Sequence, residues 1–233
     1  MADAGTHPLD SFSSCELSDA LIKLGVLHGG HIPDIVCQLS GDDVSVRGPA
    51  YTVQMVKASD TKSPKLEAHF VDTIVEGSVV VIQAPRELHN AVWGGLMTAG
   101  AQSRGAKGVI ISGRCRDIRE SAAAGFPVFA RGRSTLGQGG FTRASAVQVP
   151  LAISTNSAAG PPLFPLPQGL REVVVRPGDY VVADCDGVVC VPADLFEELA
   201  AVAAKGREVD EKCLEDIRKG LGVQDSFKKY RGK

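Results

Sequence analysis

The chain contains no apolar run near the 18 or so residues of a membrane-spanning helix, so no transmembrane segment is expected. It also lacks any long run of one charge sign, and its formal net charge is only −2. A nucleic-acid partner would show as a basic patch, and none is visible. The six cysteines, at 15, 37, 115, 185, 190 and 213, form no CxxC pair. This excludes a disulfide frame and predicts reduced, buried thiols of a cytoplasmic protein. The opening MADAGTHPLD has neither a basic nor an apolar region, so no secretory signal is expected. Internal repeats are missing too. What is present is 44% hydrophobic residues in 233, enough for a sizeable core.

The stretch from Trp93 to Glu120 carries the densest chemistry. Trp93, Leu96, Met97 and Ala101 recur at helical spacing, and Gly105 is a fitting C-terminal cap. Val109-Ile110-Ile111 predicts a buried strand. Gly113-Arg114-Cys115-Arg116-Asp117 then reads as a turn at that strand's C-terminal end, where open α/β sheets bind ligands. Gly94 and Gly95 open the preceding helix, and a helix N-terminus favours an anion. Two elements are therefore expected to face one pocket: N–H groups of Gly95 and Leu96, and the Arg116-Asp117 pair. Such a pocket suits an anionic substrate and a hard metal ion.

Elsewhere, Ser13 and Glu16 form a capping box before Leu17, Ala20, Leu21 and Leu24, with Gly25 ending the helix. His28 and His31 lie in a loop that does not hold both rings on one face, so zinc is not expected there. Val44 to Val56 reads as two strands broken at Gly48-Pro49. Ser63-Pro64 predicts a helix start, with Leu66, Phe70, Val71 and Ile74 as its buried stripe and Gly77 as its stop. Val79 to Ile82 is a continuous apolar strand. Glu87 and His89 read as solvated loop groups within reach of the pocket. A short helix from Ile118 to Ala124 and a strand Pro127 to Ala130 follow. Arg131 to Arg143 is glycine- and arginine-rich but lacks the Walker spacing and lysine, so it reads as a mobile loop near the site or an interface. Ala144 to Leu151 predicts a strand and Ser157 to Gly169 a Pro/Gly-rich surface insertion. Val173–Val175, Tyr180–Asp184 and Val188–Val191 predict a β segment turning at Asp186-Gly187. A helical segment from about 193 and a short, solvated basic tail, Lys228 to Arg231, complete the chain.

Several pieces taken in order resemble the RraA-like family, which joins regulators of ribonuclease activity with 4-hydroxy-4-methyl-2-oxoglutarate aldolases and oxaloacetate decarboxylases. They are Cys15 to Leu21, Gly48-Pro49-Ala50, Trp93 to Met97, Gly113 to Asp117, Phe126 to Gly132, and Pro177 to Pro192. The resemblance implies a swivelling β/β/α domain, mixed sheets with flanking helices, forming one domain over 1–233. It implies a homotrimer or hexamer with sites between subunits. As a lyase, the chain would release pyruvate from a small 2-oxo acid. Arg116 would bind its carboxylate or keto oxygen, and Gly94, Gly95, Leu96 and Met97 would supply backbone contacts. Asp117 would help hold Mg²⁺ or Mn²⁺. Glu208 or Glu211 of a neighbouring subunit would contribute.

One departure stands out. The aldolases carry an acid 21 positions before the arginine, and here that position is Gly95, while Ser112 stands where an aspartate is common. On this reading one metal-supporting carboxylate is missing, and an acid restored at 95 should tighten the metal. The alternatives are a non-catalytic regulatory ring that binds a protein, and an enzyme acting on a different anionic substrate. No lysine is placed for a Schiff base, since Lys107 has no evident apolar pocket.

Overall fold

The computed structural model describes residues 7–41, 43–154 and 172–232. The expected Pro/Gly-rich insertion at Ser157 to Gly169 lies outside them. The rest is a mixed α/β architecture of eleven strands among the described residues: β1 (Val36–Cys37), β2 (Val46–Lys57), β3 (Val79–Gln83), β4 (Ala91–Trp93), β5 (Gly108–Cys115), β6 (Val128–Arg133), β7 (Thr142–Val147), β8 (Leu151–Ser154), β9 (Glu172–Val175), β10 (Tyr180–Ala183) and β11 (Val188–Val191). The helices are α1 (Ser14–Lys23), α2 (Gly95–Ser103), α3 (Ile118–Ala123), α4 (Phe196–Arg218) and α5 (Val223–Arg231).

The main sheet runs β1-β6-β5-β3-β2-β10-β11, with β4 added to β5 and β7 to β2. Its centre, β2-β3-β5-β6, is parallel, and antiparallel strands flank it. Central strands covered on both faces must be apolar throughout, which is why Val79 to Ile82 carries no polar residue. One face packs on Trp93, Phe70, Phe126 and α2; the other on the β8-β9 ribbon; and β10-β11 carries α1 and α4.

Several expectations are corrected by this arrangement. Gly48-Pro49 does not break the chain into two strands, because β2 passes through it. Up to Pro49, β2 pairs antiparallel with β10, and from Ala50 it pairs in parallel with β3, so the proline sits where the partner changes. Ser63-Pro64 starts no helix, and only one 3₁₀ turn, Phe70–Thr73, forms. Arg143 donates to the carbonyls of Asp60, Ser63 and Pro64, the last two being acceptors that a first helical turn capped by Ser63 would use. The Ser63 hydroxyl is engaged by Asp60.

Trp93 is a strand residue, not a helical one; it ends β4, and α2 begins two residues later. The expected strand 144–151 is two, β7 and β8, separated at Gln148, which adopts φ 54. The basic tail is not a loose end. It forms α5, where Lys229 pairs with Asp216 at 2.7 Å and Arg231 with Asp210 at 2.5 Å. All six cysteines are free, but Cys15 and Cys185 are exposed and Cys37 half-buried, so only three are buried as expected. Among the described residues no helix is long and apolar enough to cross a membrane.

Candidate active site at the sheet's C-terminal edge

β5 runs further than its apolar core suggests, through Gly113 and Arg114 to Cys115, because β4 and β6 pair with its polar end. The Cys115 thiol is buried, and desolvation pushes it up to about 11, so it is an inert packing group rather than a nucleophile. Arg116 and Asp117 emerge immediately after the strand. The Arg116 N–H donates to the Trp93 carbonyl at 3.0 Å, which ties the exit of β5 to the exit of β4. Asp117 is the cap residue of α3 and adopts φ 57, a left-handed conformation uncommon outside glycine.

The two glycines are explained by what they face. A Cβ at Gly94 would lie 2.5 Å from Asp117 Oδ2, and a Cβ at Gly95 would overlap the Glu120 carboxylate. The bare backbone lets Gly95 N–H donate to Asp117 Oδ2 at 3.1 Å. Arg116 Nε lies 3.4 Å from the same carboxylate, with the two side chains 46% and 36% exposed. At that exposure the pair adds little stability. Gly137, from the loop after β6, approaches Arg116 closely: a Cβ there would be 2.9 Å from Nη1.

Behind these groups is a buried polar chain. Trp93 Nε1 donates to Thr98 Oγ1 at 2.9 Å, and the Thr98 and Ser121 hydroxyls are 3.0 Å apart. It links β4, α2 and α3, so the three elements that carry the site cannot shift independently. Trp93 also stacks on Phe126, with centroids 6.1 Å apart.

The resulting cleft encloses about 120 Å³ and is lined by Trp93, Gly94, Gly95, Leu96, Met97, Arg116, Asp117 and Gln138. The sequence-expected residues from both elements are thus together. Gly95 N–H is already taken by Asp117, which leaves the Leu96 and Met97 N–H groups, in the first turn of α2, as the donors for an anion. Leu96 itself is 84% exposed at the mouth.

Glu87 pairs with Lys57 at 2.7 Å, and neither it nor His89 lines the cleft. His28 Nδ1 accepts from Gly30 N–H at 3.0 Å, an ordinary loop contact. Glu208 pairs with Lys212 on the exposed side of α4 at 2.5 Å, and Glu211 is exposed on the same helix.

Glu120 was missed by sequence reasoning. It is the third residue of α3, three positions after Asp117, and its carboxylate occupies the space over Gly95. The signal was present: an acid three positions after Asp117 lies on the same side of a helix start. No ion pair or hydrogen bond engages Glu120 among the described residues. A carboxylate from the neighbouring helix thus lies against position 95, where the sequence itself has none.

Known proteins share this frame. A Halalkalibacterium halodurans protein, by its assigned name a 4-hydroxy-4-methyl-2-oxoglutarate aldolase, is 33% identical over 170 residues, covering 73% of this chain and 70% of its own. The Legionella pneumophila protein DlpA is 26% identical over 220 residues, and this chain spans about a third (32%) of its length while 94% of this chain is matched. The crystal structure of Streptomyces coelicolor RraAS2, described as an unusual member of the RNase ES inhibitor RraA protein family, superposes with a TM-score of 0.70 at 23% identity, covering 92% of this chain and 94% of that one. The family model RraA-like, described as Aldolase/RraA, matches residues 14–190, and the chain belongs to that family.

Proposed function

We propose that the protein is a divalent-metal-dependent lyase that cleaves a C–C bond of a 2-oxo acid and releases pyruvate. Substrates of the 4-hydroxy-4-methyl-2-oxoglutarate or oxaloacetate type fit the reading. The observation that carries it is the convergence of Arg116, Asp117 and the N-terminus of α2 on one small cleft, with the Glu120 carboxylate beside it against Gly95.

The donor set suits a hard cation. Asp117, which engages Gly95 N–H and Arg116 through Oδ2, and Glu120, which makes no ion pair or hydrogen bond among the described residues, would offer it oxygens, and Mg²⁺ or Mn²⁺ takes one or two carboxylates together with substrate oxygens and water. When bound, such an ion acts as a Lewis acid toward the negative charge that develops on the keto oxygen.

The chain's own residues do the rest. The Leu96 and Met97 N–H groups hold the substrate carboxylate at the start of α2. Arg116 places its guanidinium against the carboxylate or keto oxygen, a charge-assisted contact that strengthens as the enolate forms. The Gly95 N–H holds Asp117 Oδ2 in place, so that this carboxylate is oriented before substrate arrives. The Trp93–Thr98–Ser121 chain fixes the distance between the two sides.

A homotrimer or hexamer is part of the proposal, with Glu208 or Glu211 of a neighbouring subunit closing the exposed mouth at Leu96. Sedimentation as a monomer at micromolar concentration would remove this part. A cytoplasmic location is proposed on the absence of any disulfide. The test of the activity is pyruvate release from oxaloacetate and from 4-hydroxy-4-methyl-2-oxoglutarate, with Mn²⁺ or Mg²⁺ and with a chelator. Release that metal stimulates and chelator stops is expected; no release from either compound would sink the reading in favour of a non-catalytic regulatory ring.

A further inference from the structure

A second, wider cleft of about 550 Å³ adjoins the inner one at Arg116 and Asp117 and is lined further by Arg119, Arg133, Ser134 and Thr135. Arg116 and Asp117 line both. The inner cleft, at about 120 Å³, has room for a pyruvyl-sized group and little more. The wider cleft meets the inner one at Arg116 and Asp117 and offers room for the remainder of a larger substrate.

That cleft has three guanidinium groups and one carboxylate. Asp117 is shared with Arg116 and with Gly95 N–H, so it does not neutralise the other two arginines. Arg133 is held in a set orientation: its Nε and Nη2 donate to the side-chain and backbone oxygens of Gln38 at 3.2 and 2.7 Å. Arg119 is exposed and makes no ion pair or hydrogen bond among the described residues. Its position is not explained by helix stability either, because a cation in the first turn of a helix opposes the dipole. Ser134 Oγ accepts from Leu136 N–H at 3.1 Å, so its own proton is free to be donated. The open fork of Arg119, the Nη1 of Arg133 that Gln38 leaves over and the Ser134 hydroxyl line one open volume, and an arginine fork supported by such donors suits planar recognition of a carboxylate.

We propose that Arg119, with Arg133 beside it, is the specificity-determining residue that binds a second carboxylate of the substrate, on the portion beyond the bond that is cleaved. The inference rests on the 2-oxo-acid reading of the inner cleft. Arg116 takes the pyruvyl end, and Arg119 distinguishes a diacid from a monoacid of the same shape.

The experiment compares two substrates that differ only at the distal group, 4-hydroxy-4-methyl-2-oxoglutarate and 4-hydroxy-4-methyl-2-oxopentanoate, in the full chain with Mn²⁺. The wild type is expected to favour the diacid in kcat/KM. Arg119→Ala lowers the diacid-to-monoacid ratio by about tenfold, mainly through KM, and Arg119→Lys retains part of it, as for a charge-assisted bond at a partly exposed site. A ratio that Arg119→Ala leaves unchanged, because both compounds lose equally or neither does, overturns the assignment. A second readout needs no turnover: calorimetric titration with 2-oxoglutarate and with pyruvate. Tighter binding of 2-oxoglutarate that Arg119→Ala abolishes supports the distal site even if neither compound is cleaved, in which case the lyase reading alone has failed. Equal binding of the two probes in wild type and variant overturns the distal site itself.

Discussion

Two charged regions of this molecule are built on opposite plans. In the helical layer of α1, α4 and α5, charges are paired: Arg207 with Glu16 and Arg231 with Asp210 at 2.5 Å, and Lys229 with Asp216 at 2.7 Å. At the C-terminal edge of β5 they are left open. Arg116 has its neighbour Asp117, at 3.4 Å, while Glu120 and Arg119 make no ion pair or hydrogen bond among the described residues. The difference separates two uses of charge. A closed pair fixes how elements dock, whereas a set of preoriented, unneutralised groups is held for something that binds. The family match over residues 14–190 includes the open edge and α1 and stops before α4 and α5.

The sharpest way to break this comparison is to remove charge from the open edge. Arg116→Ala is expected to lower kcat/KM by about 100-fold or more, the scale of losing a group aimed at developing charge. Arg116→Lys should recover only part, because it lacks the fork. The melting temperature of both variants should stay within about 1 °C of wild type, since the ion pair is exposed. Unchanged turnover in the alanine variant would remove Arg116 from the site.

Glu120 comes next. Glu120→Gln is expected to weaken Mn²⁺ by roughly 10–100-fold in a calorimetric titration. The Glu120 carboxylate occupies the space a Cβ at position 95 would need, so an acid at 95 requires this exposed, flexible side chain to swing aside. Gly95→Asp is expected to leave stability nearly unchanged and, while Glu120 is present, to gain little Mn²⁺ affinity because the two carboxylates repel. Combining Gly95→Asp with Glu120→Ala moves the carboxylate to the other element and should restore Mn²⁺ affinity above that of Glu120→Ala alone. If the double variant binds no better, Glu120 does not stand in for the acid at 95.

On the paired side, effects should be on folding rather than on chemistry. Ser13→Ala removes the capping box at the start of α1, where Ser13 Oγ receives Glu16 N–H and Glu16 receives Ser13 N–H at 2.8 Å. The expected cost is about 1 kcal/mol, a fall of a few degrees in Tm for a chain of this size, with kcat/KM unchanged.

The smallest effect is a pH dependence at the same helix. Glu16 is held down from 4.5 to about 2, chiefly by its hydrogen bond from Arg207. A carboxyl depressed by folding contributes stability above its unfolded value, and that contribution is lost as pH falls from about 4.5 to about 2. Wild type and Glu16→Gln should differ most in denaturation midpoint above pH 5 and converge towards about pH 2. Parallel curves over this range would show that the pair with Arg207 contributes nothing.

How far the site was legible follows from the range of the forces involved. The Arg116-Asp117 pair and the Gly94-Gly95 helix start could be read because each is a local signal at an element boundary. Glu120 was harder, since its meaning depends on α3 folding back over α2 so that the carboxylate lies above Gly95. Arg119 and Arg133 carry no pattern at all in one dimension; β6 brings Arg133 beside α3 only because it pairs with β5.

The fold divides along the same line. The capping box, the apolar run Val79 to Ile82, the hairpin at Asp186-Gly187 and the glycine stops at 25 and 105 were set by the sequence itself, since hydrogen bonds within a few residues and the burial period decide them. Whether Ser63-Pro64 began a helix was decided elsewhere, by the guanidinium of Arg143 arriving from 80 positions away to take the carbonyls at 60, 63 and 64. Continuity of β2 through Pro49 was decided by its two different partners. A proline or a helix cap states a local preference of about 1–3 kcal/mol, and long-range pairing overrides it wherever the same backbone groups are claimed by strands or side chains that only the folded chain brings near.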